Sequence, residues 1–193
     1  MSKSARLTLP LFCFLTLLGL FWPSSNLFSQ TKEQSFREYS LKAVYLYNFL
    51  QFVRWPADKC LLNGNRMEEI GVIGDSPIID SLQNLKAELK RTQNIEIIVR
   101  YLGPYVEGMD LSGCRLLFIS RSEMKNIEKI LVSVKDEPVL TVADGEESLE
   151  QGCMIVLLLR MNKVRWAVNR ESAKQSGLRL SSRLLTMAVK IID

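Results

Sequence analysis

The 193-residue chain predicts an α/β fold: one domain with a mixed β-sheet flanked by helices and entered through a long N-terminal helix. Three observations carry that expectation. A secretory-type leader opens the chain, two strand–helix–strand passages fill its middle, and a hairpin with short helices closes it. In the leader, Lys3 and Arg6 precede an apolar run over residues 7–22, which Pro23-Ser24-Ser25-Asn26 breaks. The run is shorter than the ~20 apolar residues that a membrane-spanning helix needs. A signal peptide over 1–29 and a folded domain over 35–193 are therefore expected. What remains after the leader suffices for one core that buries about two-thirds of the unfolded surface.

The elements follow in order. Ser35 with Glu38 three residues on is a capping box, and Phe36, Tyr39, Ala43, Tyr47, Leu50 and Val53 then recur at helical spacing. Leu41, Val44, Leu46, Phe49 and Phe52 fill the other faces, so this helix is either core or a partner surface. Trp55 before Pro56 ends it. Residues 69–74 read as a strand, 78–89 as a helix and 95–102 as a strand. A loop from Gly103-Pro104 leads to a strand over 115–120, a helix over 122–134 and a strand over 138–142. Residues 154–160 and 164–168 form a hairpin turning near Met161-Asn162-Lys163. Asn169 caps a short helix that Gly177 ends, and a last helix from Ser182 carries Leu184, Leu185, Ala188, Ile191 and Ile192.

Composition excludes several activities. The chain has 25 Lys+Arg against 21 Asp+Glu; without Lys3 and Arg6 the balance is 23 against 21, too small to argue nucleic-acid binding. Charge is nevertheless uneven: residues 123–150 are acidic and residues 160–193 basic. Both read first as ordinary solvated faces, the alternative being that one end faces an acidic partner or lipid headgroups. There is no histidine, which removes the usual general base, the commonest metal ligand and every Ser-His or Cys-His pair. Gly74-Asp75-Ser76 resembles an esterase nucleophile turn but lacks that base, so it reads as a strand-end turn capping the next helix. No catalytic residue, metal site or cofactor is expected. Cys60, Cys114 and Cys153 are too far apart for a C-x-x-C pair. A Cys60–Cys114 bridge would be worth about 4 kcal/mol in the chain-entropy model, and an odd count leaves one thiol over.

Several blocks occur in order between about residues 40 and 190. They are Lys42-Ala43 with Tyr45-Leu46-Tyr47-Asn48-Phe49 running to Trp55-Pro56, Val72-Ile73-Gly74-Asp75-Ser76-Pro77, Cys114-Arg115-Leu116-Leu117-Phe118-Ile119-Ser120, and Val139-Leu140-Thr141-Val142-Ala143-Asp144. Gly152 with Met154-Ile155, Val164-Arg165-Trp166-Ala167-Val168-Asn169 and Ser176-Gly177-Leu178 through Leu180-Ser181-Ser182 to Leu184-Leu185 complete them. In these blocks the chain resembles the YfiR-like family of exported bacterial proteins. The resemblance implies a periplasmic α/β domain without catalytic activity. Such a domain binds the periplasmic part of an inner-membrane diguanylate cyclase, or another membrane sensor, and restrains cyclic di-GMP and biofilm formation. A homodimer is compatible with this reading. The family pattern pairs a cysteine at the start of the first strand with the one matching Cys114; here that position is Gly71, so either Cys60 takes the role or the bridge is absent.

For partner binding, Arg54 and Trp55 are the first candidates, because a Trp at a helix end offers a large rigid surface. Arg165 and Asn169 are the second. Trp55 as core and Asn169 as helix cap are the competing readings. Two other classes remain open at this point: a periplasmic small-molecule carrier or sensor subunit, and a thiol-exchange enzyme using Cys153.

Overall fold

The apolar stretch that follows Ser40 forms the later turns of α1 (Ser25–Phe52). The structure, a computed structural model, describes residues 25–56, 68–111 and 113–193. Contacts divide the chain into Met1–Ser35 and Phe36–Asp193, and the larger unit holds the strands and the core. Of the expected leader, residues 1–24 lie outside the described residues. Because α1 begins at Ser25, the Ser35–Glu38 capping box does not start it; Glu38 instead reaches Lys42 one turn later. Among the described residues no helix is long and apolar enough to cross a membrane.

A seven-stranded sheet runs in the order β3 (Ile97–Gly103), β2 (Glu68–Ile73), β4 (Leu116–Ile119), β5 (Leu140–Ala143), β6 (Ile155–Arg160), β7 (Lys163–Asn169), β9 (Lys190–Ile192). The pairings are parallel from β3 through β6, antiparallel between β6 and β7, and parallel again between β7 and β9. The mixed sheet is as expected. β1 (Val53–Arg54) pairs separately with β8 (Arg179–Leu180) in antiparallel fashion. α2 (Ile78–Gln93) connects β2 to β3, and a 3₁₀ turn (Arg121–Asn126) with α3 (Ile127–Ser133) connects β4 to β5.

Strand side chains alternate between faces, and the two cores divide by that parity. Leu116 and Phe118 of β4, Leu140 and Val142 of β5, and Ile155 and Leu157 of β6 pack with Leu46, Phe49 and Leu50 of α1 and Ile78 and Leu82 of α2. Leu117, Ile119, Ala143 and Val156 pack instead with Ile127 and Ile130 of α3. Strands buried on both faces explain the near-continuous apolar runs at 116–119 and 140–143. Trp166 fastens α1 to β7: Tyr45 and Phe49 meet its ring edge-on at 5.1 and 5.5 Å, and its Nε1 donates to the Leu184 carbonyl at 3.1 Å.

Two expectations need correction. The buried stripe of α1 is Lys42, Ala43, Leu46, Phe49 and Leu50, whereas Phe36 is exposed and Val53 belongs to β1. The helical period alone could not orient a segment that is apolar nearly all round. The last helix, α5, covers only Ser182–Thr186, and Ile191 and Ile192 belong to β9. Two adjacent β-branched residues find a free edge beside β7, and tertiary pairing overrides a weak helical spacing. The hairpin turn is as expected, with Met161 and Asn162 both left-handed at φ 48° and 58°, the conformation a two-residue hairpin loop needs.

Candidate functional site

Strand order reverses at β2, which has β3 on one side and β4 on the other. In open α/β sheets, ligands enter the crevice at the carboxyl ends of the strands at such a point. Here β2 exits through Gly74-Asp75-Ser76, β4 through Ser120-Arg121-Ser122 and β5 through Asp144, while α1 lays Tyr39 and Lys42 across them. Gly74 sits at φ +80°, and a Cβ on it would fall 2.2 Å from Ser120 Oγ and 2.5 Å from Ser122 Oγ. Only glycine lets the two strand exits close together in this way.

Lys42 is 1% exposed, and its Nζ lies 2.9 Å from Asp144 Oδ1 and also pairs with Glu38. The same ammonium stands 4.5 Å above the Tyr39 ring. The Tyr39 hydroxyl donates to Asp144 Oδ2 at 3.1 Å, and the Ser76 side chain hydrogen-bonds to it as well. Exposed Arg121 reaches back to within 3.6 Å of Asp144 Oδ1. Burial, reinforced by the Asp144 charge, pushes the Tyr39 phenol up to about 12.

The neighbouring hydroxyls are also taken. Ser120 Oγ and Ser122 Oγ lie 2.7 Å apart, Ser122 Oγ accepts from the Asp75 amide at 2.9 Å, and Tyr101 donates to Asp75 at 2.6 Å. Ser76 Oγ accepts from the Ile78 amide at 3.3 Å in the turn before α2, but the N-cap residue is Pro77. Asp75 pairs with Tyr101, so the expected Asp75–Ser76 cap is not the one formed. A sheathed ammonium and a phenol that stays protonated at neutral pH supply neither nucleophile nor base. Among the described residues these polar side chains are partnered with one another, and the Tyr39 and Lys42 contacts with Asp144 tie α1 to the end of β5. Sequence reasoning does not single out Tyr39, Lys42, Arg121 or Asp144. The available signals are a single lysine within the apolar turns of α1 and a carboxylate closing the apolar run 139–143.

The opposite end of the sheet differs. Trp55 follows β1, and the Arg115 guanidinium at the entry to β4 stacks 4.5 Å over its ring. Arg183 stacks 5.2 Å over Phe52. In the β1–β8 pair, Arg54 lies directly across from Arg179; both are exposed, and neither has an ion pair among the described residues. The Trp55 Nε1 is buried with no hydrogen-bond partner among the described residues. Pro56 packs over Gly177, where an added Cβ would come within 3.2 Å of Pro56 Cγ, fixing this corner against the end of α4 (Arg170–Gln175).

Of the expected binding residues, Arg54 and Trp55 thus share this corner. Arg165 is exposed on β7 and, by strand alternation, points to the α3 side, opposite Trp166. Asn169 is buried: its Oδ1 caps α4 by accepting from the Ser172 amide at 2.9 Å, and its Nδ2 donates to the Leu149 carbonyl at 3.2 Å. Among the described residues neither Arg165 nor Asn169 touches this corner through a hydrogen bond or ion pair to Arg54 or Trp55.

Cys114 is a buried free thiol that accepts from Arg100 Nη2 at 3.3 Å, and burial pushes its pKa up. Its expected partner Cys60 lies outside the described residues. A Cβ built on Gly71 would fall 2.3 Å from Cys114 Sγ, so these two positions are immediate neighbours. Cys153 is fully buried, its thiol donates to the Ile155 carbonyl at 3.2 Å, and burial raises its pKa to about 11. Such a thiol is too weakly acidic and too enclosed for exchange chemistry. Beside α3 and α4 a cleft of about 450 Å³ opens, lined by Leu131, Thr141, Met154, Ser172 and Gln175 among others.

Fold and sites together define an α/β domain with an internally paired polar cluster at the carboxyl ends of its strands and exposed arginines at the opposite corner. The YfiR/HmsC-like family model matches residues 39–189, and the chain belongs to that family. A search of the curated proteins gave no match. Among solved structures, a conserved domain protein from Vibrio cholerae O1 biovar El Tor str. N16961 is similar at 12% identity and a TM-score of 0.47, over 70% of this chain and 57% of that one. The ABC domain in complex with L-Trp from Streptococcus pneumonia is similar at 9% identity and a TM-score of 0.49, over 75% of this chain and 61% of that one. The chain spans about three-fifths of the length of each.

Proposed function

We propose that the chain is a periplasmic regulatory protein that binds the periplasmic part of an inner-membrane diguanylate cyclase and holds that enzyme off. The observation that carries this reading is the family match over residues 39–189. The leader with Lys3 and Arg6 before an apolar run supports export, and the lack of histidine together with the mutually paired Lys42 and Asp144 supports binding rather than turnover. Arg54 and Trp55 form the contact, Arg165 adds a second one on another face, and Asn169 acts only by holding α4. Deleting the gene and measuring cellular cyclic di-GMP tests the reading: a rise, with increased biofilm, is expected. An unchanged level overturns it.

The cleft beside α3 and α4 favours a second reading, a carrier or sensor subunit for a small molecule. Native mass spectrometry of the exported protein separates the two. A stoichiometric bound compound lost in Met154→Trp supports the carrier, and a bare protein overturns it.

A further inference from the structure

Two guanidinium groups set across from each other on an exposed strand pair are a cost without a local return. Like charges directly opposite destabilise an antiparallel pair. Arg54 and Arg179 occupy such positions, and neither is neutralised by an acid among the described residues. Residues that break a local rule without internal compensation mark sites used for something else. Around them the surface is consistent in sign and shape. Arg183 and Arg115 lie flat on Phe52 and Trp55, and Arg170 and Lys174 line a cleft of about 300 Å³ with Arg179. That cleft also holds Glu171 and Asp193, the latter paired with Arg170 at 2.6 Å, so its three basic side chains exceed its two acidic ones by one positive charge.

From these residues we infer that the β1–β8 corner is a docking surface for an acidic segment of a protein partner, with a carboxylate of that segment bridging Arg54 and Arg179. This deepens the proposed function and rests on it for the partner's identity. Guanidinium forks match carboxylates and phosphates alike, so one fact decides for a protein carboxylate over a lipid surface. A membrane-surface binder projects bare aromatic rings into the headgroups, whereas Phe52 and Trp55 are half-buried and roofed by arginines. Contact with the Phe52 ring also restrains Arg183, so less of its side-chain freedom is lost when an anion arrives.

The test uses the full chain and the double variant Arg54→Glu/Arg179→Glu, with Arg179→Ala as a second variant and thermal melting to confirm that each folds. The probe is a fluorescein-labelled peptide of alternating glutamate and leucine, with its glutamine counterpart as control. The wild-type chain binds the acidic peptide, binding weakens as salt rises, and the double variant binds at least about tenfold less tightly. Equal binding by wild type and double variant, or no binding by wild type, overturns the inference. So does sedimentation with phosphatidylglycerol vesicles that depends on Arg54 and Arg179 while the peptide stays free. In cells deleted for the gene, the double variant fails to lower cyclic di-GMP where the wild type restores it. If deletion itself changes nothing, the proposed function fails; if deletion raises cyclic di-GMP and the double variant restores it fully, only this surface fails.

Discussion

At the carboxyl ends of β2, β4 and β5 the buried Lys42 ammonium lies between the carboxylates of Glu38 and Asp144; at the other end Arg54 meets Arg179. The first arrangement is buried and the second exposed, yet the contrast is not simply one of depth. A buried charge must be matched to exist at all, because an unmatched one costs several kcal/mol. An exposed like-charge pair survives because water screens it, leaving a modest cost that a partner's carboxylate can reverse. The comparison therefore separates residues that make the fold from residues the fold displays.

The largest effect should come from breaking the matched end. Lys42→Met leaves the Asp144 carboxylate buried beside Glu38 with only exposed Arg121 to answer it, and a loss of about 3–5 kcal/mol is expected in denaturant unfolding. A loss near zero would mean that Lys42 is not an essential counter-charge, and the contrast between the two ends would collapse. Gly74→Ala comes next. It forces a side chain into φ +80° and against Ser120 and Ser122, so about 1–3 kcal/mol should be lost, with the midpoint shifted and the denaturant slope unchanged.

These two residues also show what the sequence could and could not convey. Gly74 was legible, because a glycine between an apolar strand and a Ser-Pro helix start has few other uses. The parallel strands at 116–119 and 140–143 were legible for the same reason that they are buried on both faces. Lys42 was not. Its role depends on Asp144, 102 residues away, and nothing local distinguishes a buried lysine from one that snorkels to solvent. The orientation of α1 was hidden too, since a helix apolar on most faces gives its period no single direction. Trp55 and Arg54 could be flagged as a helix-end corner, but Arg179 facing Arg54 arises from a strand pair only two residues long.

Tyr39 sharpens the matched end through pH. Its phenol rises on folding from 10.0 to about 12, so its neutral form favours the native state fully below pH 10, and that support is lost as pH climbs towards 12. Tyr39→Phe should cost about 1 kcal/mol near neutrality through the lost hydrogen bond to Asp144. Its stability curve should also be flatter than that of the wild type between pH 10 and 12. Identical slopes in that window would show that the phenol is not held by Asp144 in solution.

The smallest effect has the opposite sign, and it tests the displayed end. Arg54→Glu turns the cross-strand pair with Arg179 from repulsive to attractive, which should stabilise the fold by a few tenths of a kcal/mol, at most about 1. The same change should abolish control of the membrane partner. Stability and function would then move in opposite directions at one residue. That outcome is not expected if Arg54 merely serves the fold, and thermal melting beside a cyclic di-GMP measurement on the same variant would reveal it. If Arg54→Glu destabilises the domain, the guanidinium has a structural partner and the corner belongs with the matched end of the sheet.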